Sequence, residues 1–346
     1  MTGPEDFCRR ALPEVSRTFA LNIPVLPPPM DLVVTVAYLL CRIADTLEDE
    51  ARGQVSERAE LFHSLGQVVK LAPGWEERAD DFARRSVAAL RPSAPSAEVQ
   101  LVQGTRTVLE AMNGLPDWTH HHIAACVGEM TDGMAQVMAA LDGGAPQGVP
   151  ELKDTLQYCY YVAGTVGVML TGLFVDGYDA VRPLASELRP RAPAFGRALQ
   201  LTNILKDVRE DLDRGFCWLP RSIMARHGLT PATLIRPERR TAAVAMLDEL
   251  VAVARRECDV SFDYSLLLPR SEPGLRLFCL WPLLFALRTL GALAHNPAVF
   301  EPAPVKIDRE TVMRIMILTR ESVMDDRALE ALYAECARGL PEGRKA

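Results

Sequence analysis

No stretch of this chain alternates apolar and polar residues with period two; its apolar residues recur instead at the three- and four-residue spacing of helices. That pattern predicts an all-α fold. The chain has 346 residues, 49% of them apolar, and no long low-complexity linker divides it, so one large helical domain over 1–346 with a polar C-terminal tail is expected. Proline and glycine set the element ends. Helices are expected over 4–22, ended by Pro24 and Pro27 to Pro29, and over Met30 to Glu50. Val55 to Leu71 and Glu76 to Leu90 follow, parted by Pro73 and Gly74, then Ala97 to Met112. Trp118 to Leu141 is closed by a turn from Asp142 to Pro150. Leu152 to Phe174, a helix after Pro183 that runs to Gly215, about Arg239 to Leu267, Pro273 to Ala294 and Arg309 to Ala337 complete the set.

Two of these helices carry acidic faces. In the helix ending near Gly215, apolar residues at 199, 201, 204, 205, 208 and 212 leave Asn203, Asp207 and Asp211 at successive i, i+4 positions. Like charges so placed repel by a few tenths of a kcal/mol (~0.2–0.5) unless a cation sits over the face. A solvated acidic surface is the plain alternative. Against it stands a second stretch of the same spacing, Arg42 to Glu50 with Asp45, Glu48 and Asp49, which comes directly off the apolar run Val33 to Cys41. Two carboxylate faces on apolar helices can meet across a cavity and hold divalent ions. Hard cations such as Mg2+ take oxygen ligands, keep several waters and share their shell with substrate phosphates. The pattern points to a diphosphate held by metal at the mouth of an apolar pocket.

Other features narrow the class. A net charge of −7 and a pI of about 5.5 speak against a nucleic-acid partner. The cysteines at 8, 41, 126, 159, 217, 258, 279 and 336 form no CxxC pair, so reduced thiols in a cytoplasmic protein are expected. The N-terminus lacks the layout of a signal peptide. No apolar run reaches the roughly 18 residues of a bilayer span. Leu275 to Ala294 comes nearest and is interrupted by Arg276, Pro282 and Arg288, so no transmembrane segment is expected and any membrane contact is peripheral. Gly164 and Gly167, inside a helix, call for close approach of a ligand or another helix. His120, His121 and His122 are consecutive, so a helix is expected to turn them to different sides, away from any shared metal. No Rossmann fingerprint is present.

Taken in order, Ser16-Arg17-Thr18-Phe19, Asp45-Thr46-Leu47-Glu48-Asp49, Tyr158-Cys159-Tyr160-Tyr161-Val162-Ala163-Gly164 and Asn203 to Asp211 resemble the squalene/phytoene synthase family of head-to-head prenyl transferases. The resemblance covers roughly residues 7–325. It implies an all-α domain of the class I isoprenoid (terpenoid) synthase type around a deep apolar cavity, with Mg2+ as cofactor. Asp45, Asp49, Asn203, Asp207 and Asp211 would hold the metal directly or through water, with Glu48 in the first or second shell. Arg17 and Arg42 would complete the phosphate site with Ser16 as donor; the plain alternative for Arg42 is an intrahelical partner of Asp45. Tyr158 would accept or relay the proton that leaves as a cyclopropane closes. Phe19, Tyr161, Val162, Gly164, Gln200, Cys279 and Pro282 would contact substrate, and Tyr38 and Phe278 would line the cavity or pack the core.

The C-terminal third, with Phe278-Cys279-Leu280-Trp281-Pro282, Ala286, Thr289-Leu290 and Val305-Lys306-Ile307, leans toward the squalene-forming branch of that family. It implies condensation of two farnesyl diphosphates through presqualene diphosphate with release of diphosphate, then reduction by NADPH, with Asn203, Lys206 and Lys306 as candidate cofactor contacts. Two departures stand out. Tyr160 replaces the histidine usual in eukaryotic members of that branch, and Asp308 follows Ile307 where a basic residue is usual. Phytoene, dehydrosqualene or presqualene diphosphate formation without reduction stays open, as does a non-catalytic assembly factor. Trp218 is expected to pack a loop beside the second acidic motif.

Overall fold

The computed structural model describes residues 3–141 and 147–341; residues 142–146 of the expected turn and 342–346 of the tail lie outside the described residues. All regular structure among the described residues is helical, as the absence of period-two patterning predicts, with only two isolated bridges, Ala51 to Leu90 and Val149 to Pro220. The chain falls into two compact units, one of Met1–Gly143 with Val168–Ala185 and one of Gly144–Gly167 with Ser186–Ala346.

The first unit is built on the Met30–Glu50 helix, whose Val33, Val36, Leu39, Leu40, Ile43 and Leu47 are almost wholly buried. Pro4–Val15, Thr105–Asn113 and Asp117–Ala140 pack against it, and Val55–Val68 lies along Asp117–Ala140. Two expected helices are broken. Ser16 is extended (φ −153°, ψ 117°) and its Oγ accepts from the Phe19 amide at 3.1 Å, so it ends Pro4–Val15 and caps Arg17–Asn22. Gly104 parts Ser96–Gln103 from Thr105–Asn113, and a side chain there would collide with the Phe7 ring.

In the second unit the Ala192–Lys206 helix is central, packed by Arg240–Leu267, Pro273–Leu293 and the segment Tyr160–Gly164. That last segment is a π turn between Leu152–Cys159 and Thr165–Gly177. A Cβ on Gly196 would lie closer than 3.0 Å to the Ala163 carbonyl and the Gly164 nitrogen, and one on Gly167 closer than 3.0 Å to the Ala192 carbonyl. Close approach of a helix is therefore the reason for Gly167. The expected Arg309 to Ala337 helix divides into Arg309–Ser322 and Asp326–Cys336, because Asp325 Oδ1 accepts from the Arg327 and Ala328 amides and starts a new helix.

Among the described residues two helices, Leu152–Gly177 and Pro273–Leu293, are long and apolar enough to cross a bilayer by length and composition, one more than the sequence singles out. Their apolar windows are 56% and 72% buried inside the protein, which makes them core helices. Arg276 shows how Pro273–Leu293 accommodates a charge: fully buried, it donates to the Val323 carbonyl at 2.9 Å and pairs with Asp326. All eight cysteines are free and buried.

Candidate functional site

The first acidic face grows out of the last turns of Met30–Glu50. Tyr38, Arg42, Asp45 and Asp49 follow one another at three- or four-residue steps and so share a side of the helix. Phe19 lies over Tyr38 with ring centroids 5.0 Å apart. Burial pushes the Tyr38 hydroxyl above its ordinary value, while a hydrogen bond to Ser16 and the charge of Arg42 work the other way. The predicted residues Ser16, Phe19, Tyr38, Arg42, Asp45 and Asp49 are thus brought together, and Arg17 is exposed at the start of its short helix.

Arg42 is held chiefly by a residue the sequence did not single out. It pairs with Glu98 of Ser96–Gln103, while Asp45, the expected intrahelical partner, stands 4.0 Å away. Burial works against the Arg42 charge, but Asp45 and Glu98 outweigh it and hold the guanidinium above its usual range. For Asp45, burial pushes the carboxyl up to about 7; Arg42 opposes this, and Asp49 and Glu98 add to it. The Asp45 side chain keeps 36% exposure, so solvent screens part of that push. Asp45, with Asp49 and Glu98 acting on it and Arg42 opposing them, belongs to an all-oxygen set short of positive charge, which a hard divalent cation relieves. The Glu48 backbone carbonyl accepts from Arg58 at 2.6 Å, and the charges of Glu48 and Asp49 both act on that largely buried guanidinium.

In the second unit the acidic face is not one uninterrupted helix. Asp207 (φ −99°, ψ 13°) is a joint between Ala192–Lys206 and Val208–Asp213. The four-residue hydrogen-bond spacing nevertheless passes through it, from the Asp207 amide to the Asn203 carbonyl and from the Asp211 amide to the Asp207 carbonyl, each at 2.9 Å. Asn203, Asp207 and Asp211 therefore keep the predicted succession. Lys206 Nζ lies 3.1 Å from Asp207 Oδ2 and 3.5 Å from Asn203 Oδ1, so two of the three candidate cofactor contacts are engaged with the acidic face itself. Gln200 is half-buried one turn earlier.

Tyr158 is 3% exposed and stacks on Trp218 with centroids 3.8 Å apart and planes 3° from parallel. The Trp218 carbonyl accepts from Thr155 Oγ1 at 3.1 Å, and Phe216 lies beyond the indole at 6.2 Å. Trp218 also lines a small pocket with Ile204, Val208, Asp211 and Cys217. The loop packing expected of Trp218 is what joins Tyr158 to the acidic face. The π turn follows at once, holding Tyr161, Val162 and Gly164, and a side chain on Gly164 would strike the Tyr160 ring. Phe278, Cys279 and Pro282 are buried in Pro273–Leu293. Lys306 is exposed in the irregular segment before Arg309–Ser322, and Asp308 caps that helix, its Oδ1 accepting from the Thr311 amide at 2.7 Å.

The solved complex of TcSQS with the ligand BPH1237 matches with a TM-score of 0.75 and 25% identity, covering 97% of this chain and 98% of that one, which places the protein among the all-α isoprenoid synthase folds. A family model described as squalene/phytoene synthase matches residues 12–311. The chain belongs to the squalene/phytoene synthase family. It is 27% identical to the squalene synthase of Schizosaccharomyces pombe over 311 residues, which are 90% of this chain and 64% of that protein. To the squalene synthase of Homo sapiens it is 29% identical over 310 residues, 90% of this chain and 68% of that one. The chain thus spans about two thirds of the length of these relatives.

Proposed function

We propose that the protein is a head-to-head prenyl transferase that joins two farnesyl diphosphates into presqualene diphosphate and reduces this with NADPH to squalene. The observation that carries the reading is the run of similarity to relatives named squalene synthase, which extends over 90% of the chain at 27–29% identity and includes the Phe278 to Ile307 stretch. Asp45, Asp49, Asn203, Asp207 and Asp211 are the residues proposed to hold Mg2+, with Glu48 as a further candidate. Magnesium, when bound, supplies the Lewis acidity and charge that let a diphosphate leave an allylic carbon.

The chain's own groups do the rest. Arg42, kept charged by Asp45 and Glu98, presents a fixed cation to phosphate oxygen, and Ser16 offers a hydroxyl beside it. Tyr158, fixed between its helix and the Trp218 ring, is the acceptor or relay for the proton lost as the cyclopropane closes. The Tyr38 and Phe278 rings are the candidates to offer π density to cationic carbon.

Incubation of the full chain with farnesyl diphosphate and Mg2+, with and without NADPH, tests the reading. Squalene formed only with NADPH supports it. A second reading, in which the chain stops at an unreduced product, is favoured by Asp308, which is committed to a helix cap where a basic residue is usual, and by Lys206, which is tied to Asp207. An unreduced C30 or C40 product in the presence of NADPH decides for that reading, and no turnover at all refutes both.

A further inference from the structure

The three consecutive histidines do not scatter as a helix was expected to send them. His121 and His122, on Asp117–Ala140, bring their ring centroids to 3.8 Å, and His122 Nε2 donates to Asp176 Oδ2 at 2.7 Å across to Thr165–Gly177. One ligand atom from each of His121, His122 and Asp176 lies within 4.8 Å of the others. His120 turns elsewhere, with Nε2 buried. All three converging residues belong to the first unit and none is in either acidic motif.

We infer that His121, His122 and Asp176 form a binding site for a borderline divalent metal of the Zn2+ class, which clips Asp117–Ala140 to the end of Thr165–Gly177. Two imidazoles and one carboxylate suit Zn2+, Co2+ or Ni2+ and not Mg2+, which prefers an all-oxygen shell. With metal–ligand bonds of about 2.0–2.2 Å, ligand atoms around a tetrahedral ion stand roughly 3.4 Å apart, so the observed spread closes with a small turn of the exposed His121 ring. The fourth position faces solvent and takes water. Binding replaces the proton that His122 Nε2 now shares with Asp176 by the metal and releases it to solvent.

A second observation shows room set aside for the ring. A Cβ built on Gly172 would lie closer than 3.0 Å to His122 Cε1 and Nδ1, so only glycine at that helix position lets the imidazole stand where it reaches Asp176. The same two helices approach closely one turn away, where Gly177 faces Trp118 and the Met30 side chain. The ion would therefore tie a corner that includes the start of the Met30–Glu50 helix. This inference is independent of the proposed activity.

The test is equilibrium dialysis of the full chain against Zn2+ with excess Mg2+ present to occupy the acidic faces, repeated with Co2+ for its visible absorption. The wild type is expected to retain one Mg2+-resistant equivalent, with a Co2+ spectrum showing nitrogen ligation and an increase in Tm on Zn2+ addition. His121→Ala, at an exposed position, is expected to bind at least tenfold more weakly and to lose the Tm shift, and Gly172→Ala to do the same by displacing His122. Equal Mg2+-resistant binding in wild type and His121→Ala, or none in the wild type, overturns the inference.

Discussion

Replacing Gly196 by alanine tests whether the Ala192–Lys206 helix and the π turn are packed backbone to backbone. The added Cβ would lie under 3.0 Å from Ala163 C, Ala163 O and Gly164 N, none of which can swing aside as a side-chain end would. Ordinary contact begins at 3.4 Å, so the two segments must part by more than about 1 Å. Overpacking of this kind costs about 1–3 kcal/mol, and with only backbone in the way the upper end applies. Alanine's better helix propensity returns up to about 1 kcal/mol. The net loss of about 2 kcal/mol lowers Tm by roughly 3–4 °C. Because the strain falls one turn from Tyr158 and Tyr161, prenyl turnover should drop tenfold or more. The control is Gly291→Ala on Pro273–Leu293, where a Cβ meets nothing within 4 Å and propensity alone should raise Tm slightly. Calorimetric melts of the two variants beside wild type decide the matter. Equal Tm values for both variants refute the packing argument.

Three further outcomes are expected. Trp218→Ala removes a stack that contributes about 0.5–1.5 kcal/mol beyond burial and frees the Tyr158 ring. The drop should appear in kcat more than in KM, with recovery in Trp218→Phe; wild-type kcat in the alanine variant would remove Trp218 from the site. For Asp45, a folded pKa near 7 against an ordinary 3.8 means that the folded chain binds the extra proton between those values. Without Mg2+, wild-type stability should therefore fall relative to Asp45→Asn as pH rises from about 4 to about 7 and level off above; urea titrations that show the gap constant would contradict the raised value. Arg276→Ala leaves the Val323 carbonyl without its buried donor and strips one arginine from Asp326, which keeps Arg270 at 2.5 Å. A loss of about 3 kcal/mol is expected by urea denaturation, the low end for breaking a buried pair because Asp326 is partly exposed.

Helix existence was legible because apolar spacing and proline stops are local, and all-α class followed from them. Breaks inside expected helices were less so. At Ser16 and Asp325 a side-chain cap wins over continuation, and both residue types are ordinary caps once the break is known. At Asp207 the joint has no proline or glycine to announce it. The acidic, tyrosine and serine motifs of the site stood in the sequence as short runs. Glu98, which holds Arg42, lies 56 residues away on a separate helix, and Asp176 lies 54 residues from His122; nothing local pairs them. Trp218 was placed beside the right motif, but its stacking partner is set by tertiary packing.

The eight enclosed sulfhydryls give this chain a built-in record of its own breathing. Cys8, Cys41 and Cys126 sit in one unit and Cys159, Cys217, Cys258, Cys279 and Cys336 in the other. Burial pushes the thiol of Cys8 up to about 12 and those of Cys217 and Cys336 up to about 11, so alkylating reagents find almost no thiolate until a segment opens. The order in which the eight positions take up label would rank the opening of the seven helices and the one loop that carry them, without any probe being engineered in.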